Sequence, residues 1–413
     1  MRHFLLLAAS CVTLAACGLD GAEEADQTDT AAARPAAPDQ GYETFGQDNY
    51  ADAMASNDAA YDKGDAMAAD ADALPDSEER PVMQAQVVLD RIGFGPGVID
   101  GKMGMSTENA LLGFQEANGL DTTGNLDEPT KAALAEWEQI PATRVVTIPA
   151  SWGKPDYRSI PEDPAEQAEM ERLGYRSLDE RLAERFHTTV AVLKELNPGG
   201  QPAGAAQGKG PNPQPTPTPD IGRPDGEEPS YFQVGQQIRV PNIGADAIKP
   251  GSIDDSNWQR TLASLGVGSE QTEVDRIVVS KAGSTLRAYQ GDKLVALFTV
   301  SSGSSEFPLP LGEWKILGEA YNPPYSYDPE VLGKGSGETF KLPAGPNSPV
   351  GVVWIDLSKE HYGIHGTPEP DTIGRAQSSG CVRLTNWDAA RLAQMVSQST
   401  QVIFEARWAR VAP

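Results

Sequence analysis

The stretch IHGTPEPDTIGRAQSSGCVRL, Ile364 to Leu384, holds a histidine and a cysteine suited to nucleophilic chemistry, His365 and Cys381, sixteen positions apart. A thiol of ordinary pKa, ~8.5, is only a few per cent thiolate at neutral pH, so a cysteine nucleophile needs an imidazole to take its proton. Glycines adjoin both residues: Gly366 follows the histidine and Gly380 precedes the cysteine. The missing side chain at Gly380 lets backbone N–H groups crowd the sulfur, as an oxyanion hole requires. TPEPDTIGRAQ between them reads as a loop, so their separation along the chain does not forbid contact in space. On residue types alone two readings stand: an inert buried thiol, or a nucleophile with His365 as its base.

His361 in HYGIH is a further imidazole; read as strand, the segment places residues i and i+4 on one face. His361, His365 and Cys381 could in principle be three zinc ligands, but no CxxC, HExxH or acidic cluster accompanies them, and no metal or other cofactor is expected.

The cysteine count sharpens the question. The chain opens MRHFLLLAASCVTLAACGLDG, whose apolar run is too short to span a bilayer and reads as a secretory signal over residues 1–17. Its ending, LAAC, resembles a bacterial lipobox; the alternative is an ordinary cleaved signal. The resemblance implies that Cys17 becomes the first mature residue, with lipid on its sulfur and its amine, enough to anchor a soluble body to a membrane. Gly18 rather than aspartate after Cys17 implies, by the sorting rule of such lipoproteins, the outer membrane, with the body facing the periplasm. Cys11 leaves with the signal and Cys17 is consumed by lipid, so Cys381 has no partner for a disulfide, although exported chains favour them.

The net charge of −26 argues against nucleic acid and anionic membrane surfaces as partners. About half of it falls in residues 18–78, rich in Ala, Asp, Glu and Gln with few large apolar residues. Such a segment cannot bury enough apolar surface to offset its chain entropy and reads as a disordered acidic spacer. In residues 79–140 the spacing of Val82, Ala85, Val88, Leu89 and Ile92 predicts a helix ending at Gly93. A glycine-rich loop, GPGVIDGKMG, precedes a second helix that Ser106 and Thr107 can cap. A third short helix has Pro129 in its first turn. With GVIDGKMG, ALLGFQEANGL and TGNLDEPT, this unit resembles the three-helix peptidoglycan-binding domain of cell-wall enzymes. Asp100 is expected to brace its loop.

Residues 170–243 carry a helix–turn–helix pattern, YRSLDERLAERFHTTVAVLKELNPG, and a strand, VGQQIRVPN, with a Pro/Gly-rich insert over 200–230 that reads as disordered. The pattern resembles a LysM module, which implies glycan binding, but its first strand is weak and the insert breaks it. His187 there is expected to be a packing or surface residue.

Residues 272–407 are β-rich: RIVVSKAGSTLRAYQGDKLVALFTVSSG alternates apolar and polar residues between turns, and only LTNWDAARLAQMVSQST is plainly helical, with Thr385 its cap. YGIHGTPEPDTIGRAQSSGCVRLTNWDAARLA resembles the signature of the L,D-transpeptidase (YkuD-like) catalytic domain. The resemblance implies a multidomain chain: a small three-helix domain plus a C-terminal β-sandwich with a few short helices. It implies Cys381 as nucleophile, His365 as base, the Gly366 carbonyl orienting the imidazole, backbone N–H groups of Gly380 and Cys381 holding the oxyanion, and Arg383 supporting the loop or a substrate carboxylate. Ser379 stands where many members have histidine, which places the proton transfer on His365. The implied reaction cleaves the bond before the terminal D-alanine of a peptidoglycan stem tetrapeptide and passes the acyl group to an amine. Water as acceptor would make a carboxypeptidase, and a non-catalytic lipoprotein tethering outer membrane to wall is the rival from another class. Reaction of the cysteine with carbapenems is also implied. The residues do not define an oligomeric state.

Overall fold

The computed structural model describes residues 75–76, 78–153, 157–204, 230–244, 248, 251–375 and 380–407. Cys17 and the signal, nearly all of the 18–78 spacer, most of the 200–230 insert and Ser379 lie outside these. Among the described residues no helix is long and apolar enough to cross a membrane.

Three helices form where the periodicity predicts them: α1 (Pro81–Arg91), α2 (Met105–Ala117) and α3 (Glu128–Leu134). Asp127 caps α3, accepting the Thr130 N–H at 3.0 Å. The expected cap of α2 is different. The helix starts at Met105 from Gly104 without a side-chain cap, and Thr107 is buried inside it, its hydroxyl accepting Gln86 Nε2 at 3.0 Å. Asp100 does brace its loop, accepting Gln86 Nε2 at 3.0 Å and Lys102 N at 2.9 Å. Helix α1 is buried from Ala85 through Asp90, on more than the single stripe of an amphipathic surface helix, because it has neighbours on two sides. Part of the glycine-rich stretch is not loop: Phe94–Gly95 (β1) runs parallel to Leu297 and Phe298 of the C-terminal unit.

The second unit is strand–helix–helix–strand, β2 (Thr143–Thr147), α5 (Leu178–Arg185), α6 (Val190–Leu196) and β3 (Gln237–Pro241), with an additional short helix, α4 (Pro164–Ala168), in the connection between β2 and α5. Ser177 and Thr189 cap α5 and α6. The strand that pairs antiparallel with β3, Val145 opposite Arg239, lies upstream of the 170–243 segment in which this unit was expected. Its core of Trp152, Leu182, Phe186, Leu193, Phe232 and Ile238 also takes in Met83, Val87 and Ile99 of the helical unit.

The C-terminal unit opens with α7 (Ser256–Leu265) and continues through β4 (Arg276–Ser280), β5 (Thr285–Gln290), β6 (Lys293–Thr299) and β7 (Ser301–Ser302). Next come β8 (Gly312–Tyr321), the β9 (Tyr325–Tyr327) and β10 (Phe340–Leu342) ribbon, β11 (Val353–Leu357), β12 (Gly363–His365) and β13 (Val382–Arg383). Helix α8 (Asn386–Met395) and β14 (Gln401–Glu405) close it. Ten strands make one curled sheet in the order β1-β6-β5-β4-β14-β8-β11-β12-β13-β7. Strand β8 turns the corner: Gly312–Lys315 pair with β14, and Ile316–Tyr321 pair with β11. The two halves therefore face each other, and Ile277, Val279 and Leu286 from one share a core with Ile355, Ile364 and Val382 from the other. The β-sandwich expectation is met by a single sheet folded through a shared strand.

The units are packed together. Leu294 and Leu297 of β6 complete the core of Leu89, Phe94, Leu111 and Phe114 in the helical unit. Burying one such leucine contributes about 2 kcal/mol. At the meeting point of all three units Arg391 (α8) donates to both oxygens of Asp90 (α1) at 2.9 and 3.0 Å. His187 Nδ1 lies 3.2 Å from Asp90 Oδ1, its Nε2 lies 2.9 Å from the Leu265 carbonyl, and its ring stacks on Trp387 at 4.7 Å. His187 is a fully buried packing residue.

Candidate active site

Strands β12 and β13 run parallel, with Ile364 opposite Val382 and His365 opposite Arg383. Paired residues point to the same side and alternate along each strand, so Cys381, two before Arg383, shares the face of His365. By this alternation the two residues that the sequence separates by sixteen positions fall on one face of the sheet. The β-branched and apolar neighbours Ile364, Val382 and Leu384 are fully buried on the opposite face and fix the register, because a one-residue slip would expose them.

His365 is 4% exposed, and its ring stacks on Trp354 at 5.5 Å. Its Nδ1 lies 2.7 Å from the carbonyl oxygen of Gly366. A carbonyl can only accept, so Nδ1 carries the proton and Nε2 carries the lone pair, the tautomer a general base needs. Burial, followed by the positive charge of Arg383, pushes the imidazole pKa down to about 4, against the Gly366 bond that raises it.

Cys381 is half-buried: solvent reaches it, yet enough protein surrounds the sulfur to raise its pKa. Burial is the main cause; a backbone hydrogen bond with Gly363 and the charge of Arg383 pull the value back. The thiol lies 3.7 Å from the carbonyl of His361. The raised thiol and the lowered imidazole both lean toward their neutral forms. Burial of both groups disfavours separated charges, so each is held toward its uncharged form.

Around the sulfur stand Tyr325, Tyr362 and Arg383. Both phenols have raised pKa values, by burial first and by the nearby Cys381 second, Tyr325 to about 12. Arg383 Nε is buried without a hydrogen-bond partner among the described residues, a donor suited to an incoming anionic or carbonyl group. Gly380 adopts φ +108°, and a Cβ there would come within 2.8 Å of the Tyr362 ring, so only glycine fits between that ring and the nucleophile. His361 is not on the strand with His365: it sits in the preceding turn at φ +63°, half-exposed, with Nε2 3.5 Å from Glu360. Among the described residues no group of His, Cys, Asp and Glu could hold a metal ion. Sequence reasoning missed Trp354, Tyr325 and Tyr362. The alternation in GVVWIDL could have marked Trp354 as facing His365 from the adjoining strand.

Two family models match the chain, "L,D-transpeptidase catalytic domain" over residues 274–404 and "Putative peptidoglycan binding domain" over residues 78–134. The chain is 36% identical to the "Putative L,D-transpeptidase YkuD" of Bacillus licheniformis over 33% of its own length and 69% of that protein. It is 32% identical to the protein of the same description in Bacillus subtilis, over 41% of its length and 96% of that protein. Among solved structures an L,D-transpeptidase from Mycobacterium smegmatis matches at 23% identity and a TM-score of 0.28, over 32% of this chain and 59% of that one.

Proposed function

Since the chain belongs to the L,D-transpeptidase family, we propose that it is a cysteine acyltransferase working on the stem peptides of peptidoglycan, with Cys381 as nucleophile and His365 as base. The observation that carries this reading is the β12–β13 register, which puts both side chains on one face while Gly366 holds Nδ1 protonated.

Attack begins from a neutral thiol and a neutral imidazole. His365 Nε2 takes the thiol proton as the sulfur adds to the carbonyl joining the third stem residue to the terminal D-alanine. Backbone N–H groups of Gly380 and Cys381 meet the developing oxyanion, and the charge of Arg383 favours it. The C–N bond breaks, the imidazolium returns its proton to the amine of the departing D-alanine, and a thioester on Cys381 remains. An acceptor amine then adds to the thioester and gives a proton to His365. As the C–S bond breaks, the proton returns to the sulfur. The product is a 3–3 cross-link between stems or a protein joined to the wall. The helical unit over 78–134 holds the enzyme at the glycan. The strand–helix–helix–strand unit, LysM-like in its order of elements, adds a second wall contact. Lipid on Cys17 anchors the protein to the outer membrane with its body in the periplasm.

Incubation with a defined disaccharide-tetrapeptide tests the reading. Mass spectrometry is expected to show loss of D-alanine together with a cross-linked dimer. D-alanine release with only tripeptide product would assign hydrolysis instead, and an unchanged substrate would leave the tether as the surviving account.

A further inference from the structure

The catalytic sheet is held from behind by a residue of another unit. Glu184, near the end of α5, is buried, and its Oε1 accepts the Asn386 side-chain amide at 2.7 Å. The same Nδ2 donates to the Pro346 carbonyl at 3.0 Å. Two acceptors at one end of the amide fix which end is which, and Oδ1 must face the other way. There it accepts the Val352 N–H at 3.3 Å and lies against the Cα atoms of Gly351 and Gly366, where a Cβ on either glycine would collide with it. Gly366 is the residue whose carbonyl holds His365 Nδ1. Asn386 is also the first residue of α8, five after Cys381.

We propose that Glu184 is a positioning residue for His365, acting across the unit boundary through the Asn386 amide and the Gly366 peptide. The inference rests on the reading of His365 as the base. Turning the Asn386 amide over would bring its NH2 group against the Val352 N–H and the two glycines, and push the Gly366 peptide out of line with Nδ1. Glu184 prevents that turn. The grip is reinforced by its neighbour His187, which stacks on Trp387, the next residue of α8. The second unit therefore acts on the reaction itself, whatever glycan it meets.

The test uses the full chain and a carbapenem as acylating probe, with Glu184→Leu, Glu184→Gln and Cys381→Ala, each checked for cooperative thermal unfolding. In Glu184→Leu the limiting acylation rate is expected to fall about 10- to 100-fold, the scale of a misplaced catalytic group, while the half-saturating concentration stays as in wild type. Glu184→Gln keeps an oxygen for the Asn386 amide and is expected to restore the rate. Spectra of 15N-histidine-labelled protein are expected to show His365 protonated at Nδ1 in wild type and in Glu184→Gln, and a tautomer mixture in Glu184→Leu. If Glu184→Leu does not fold, Glu184→Asp, one methylene short of Asn386, takes its place. An equal limiting rate and an unchanged tautomer in the folded variant would overturn the inference. A wild type that is not acylated at all would instead remove the catalytic reading on which it rests.

Discussion

His187 and His365 are both buried, and each ring lies against an indole, Trp387 in one case and Trp354 in the other. His187 has the partner usually associated with catalysis, the carboxylate of Asp90, whereas Nδ1 of His365 meets the Gly366 carbonyl. The difference lies in the second nitrogen. His187 Nε2 is taken by the Leu265 carbonyl inside the protein, so the ring is a cross-brace with both ends tied. His365 is tied at Nδ1 and faces the same side of the sheet as a thiol that solvent reaches. A carboxylate partner does not make a base; an available lone pair beside an accessible nucleophile does.

The comparison can be broken by exchanging the consequences of loss. His365→Ala is expected to lower Cys381 acylation about 10²- to 10⁴-fold, the usual worth of a general base, with a loss of stability smaller than that of His187→Ala because fewer buried bonds go with it. His187→Ala is expected to do the reverse: stability falls by about 3 kcal/mol as buried bonds and packing are lost, while acylation keeps its order of magnitude. Calorimetry and stopped-flow acylation on the same samples separate the two.

The pH profile sharpens it. With the imidazole pushed down to about 4, acylation is expected to hold its neutral-pH value through pH 5 and fall only near pH 4, where the ring gains a proton and can no longer accept one. Arg383→Met removes a charge that lowers both groups, so the acid limb moves up while burial keeps it below the ordinary imidazole value of ~6.5, and the thiol pKa rises further.

A smaller effect belongs to the structural junction around His187. Burial raises Asp388 to about 7, with the nearby Asp90 adding to the rise and Arg391 opposing it. The folded protein keeps this proton up to about pH 7; the unfolded chain releases it near ~3.9, so stability from this group is lost as pH rises between the two. Asp388→Asn cannot ionise, and its thermal midpoint relative to wild type is expected to rise between pH 5 and pH 8. Least of all, Tyr362→Phe removes a 3.4 Å bond to the Pro308 carbonyl and is expected to change stability by about 0.5 kcal/mol and leave acylation near wild type.

What the sequence makes legible is local. The Thr385 cap of α8 and the Pro129 turn of α3 depend on contacts within a few residues, and both form as their spacing predicts. The expectation that His365 and Cys381 share one site came from the motif, since the intervening loop says nothing of register. The contacts that remained hidden are long-range. Strand β2 pairs with β3 across ninety residues, and Phe94–Gly95 joins a sheet whose next strand begins at Lys293. Glu184 and Asn386 lie in separate units and look like an ordinary helix surface charge and a helix-start residue. One sign of the packing was present: Val87, Val88 and Leu89 are consecutive apolar residues in α1, more than one helix face needs, and all three are buried.

Intact mass of the purified chain after exposure to a carbapenem bears most directly on the Cys381–His365 pair. One covalent adduct is predicted in wild type, mapped to Cys381 and absent from Cys381→Ala. A wild-type protein that stays unmodified, or an adduct that persists in Cys381→Ala, would contradict it.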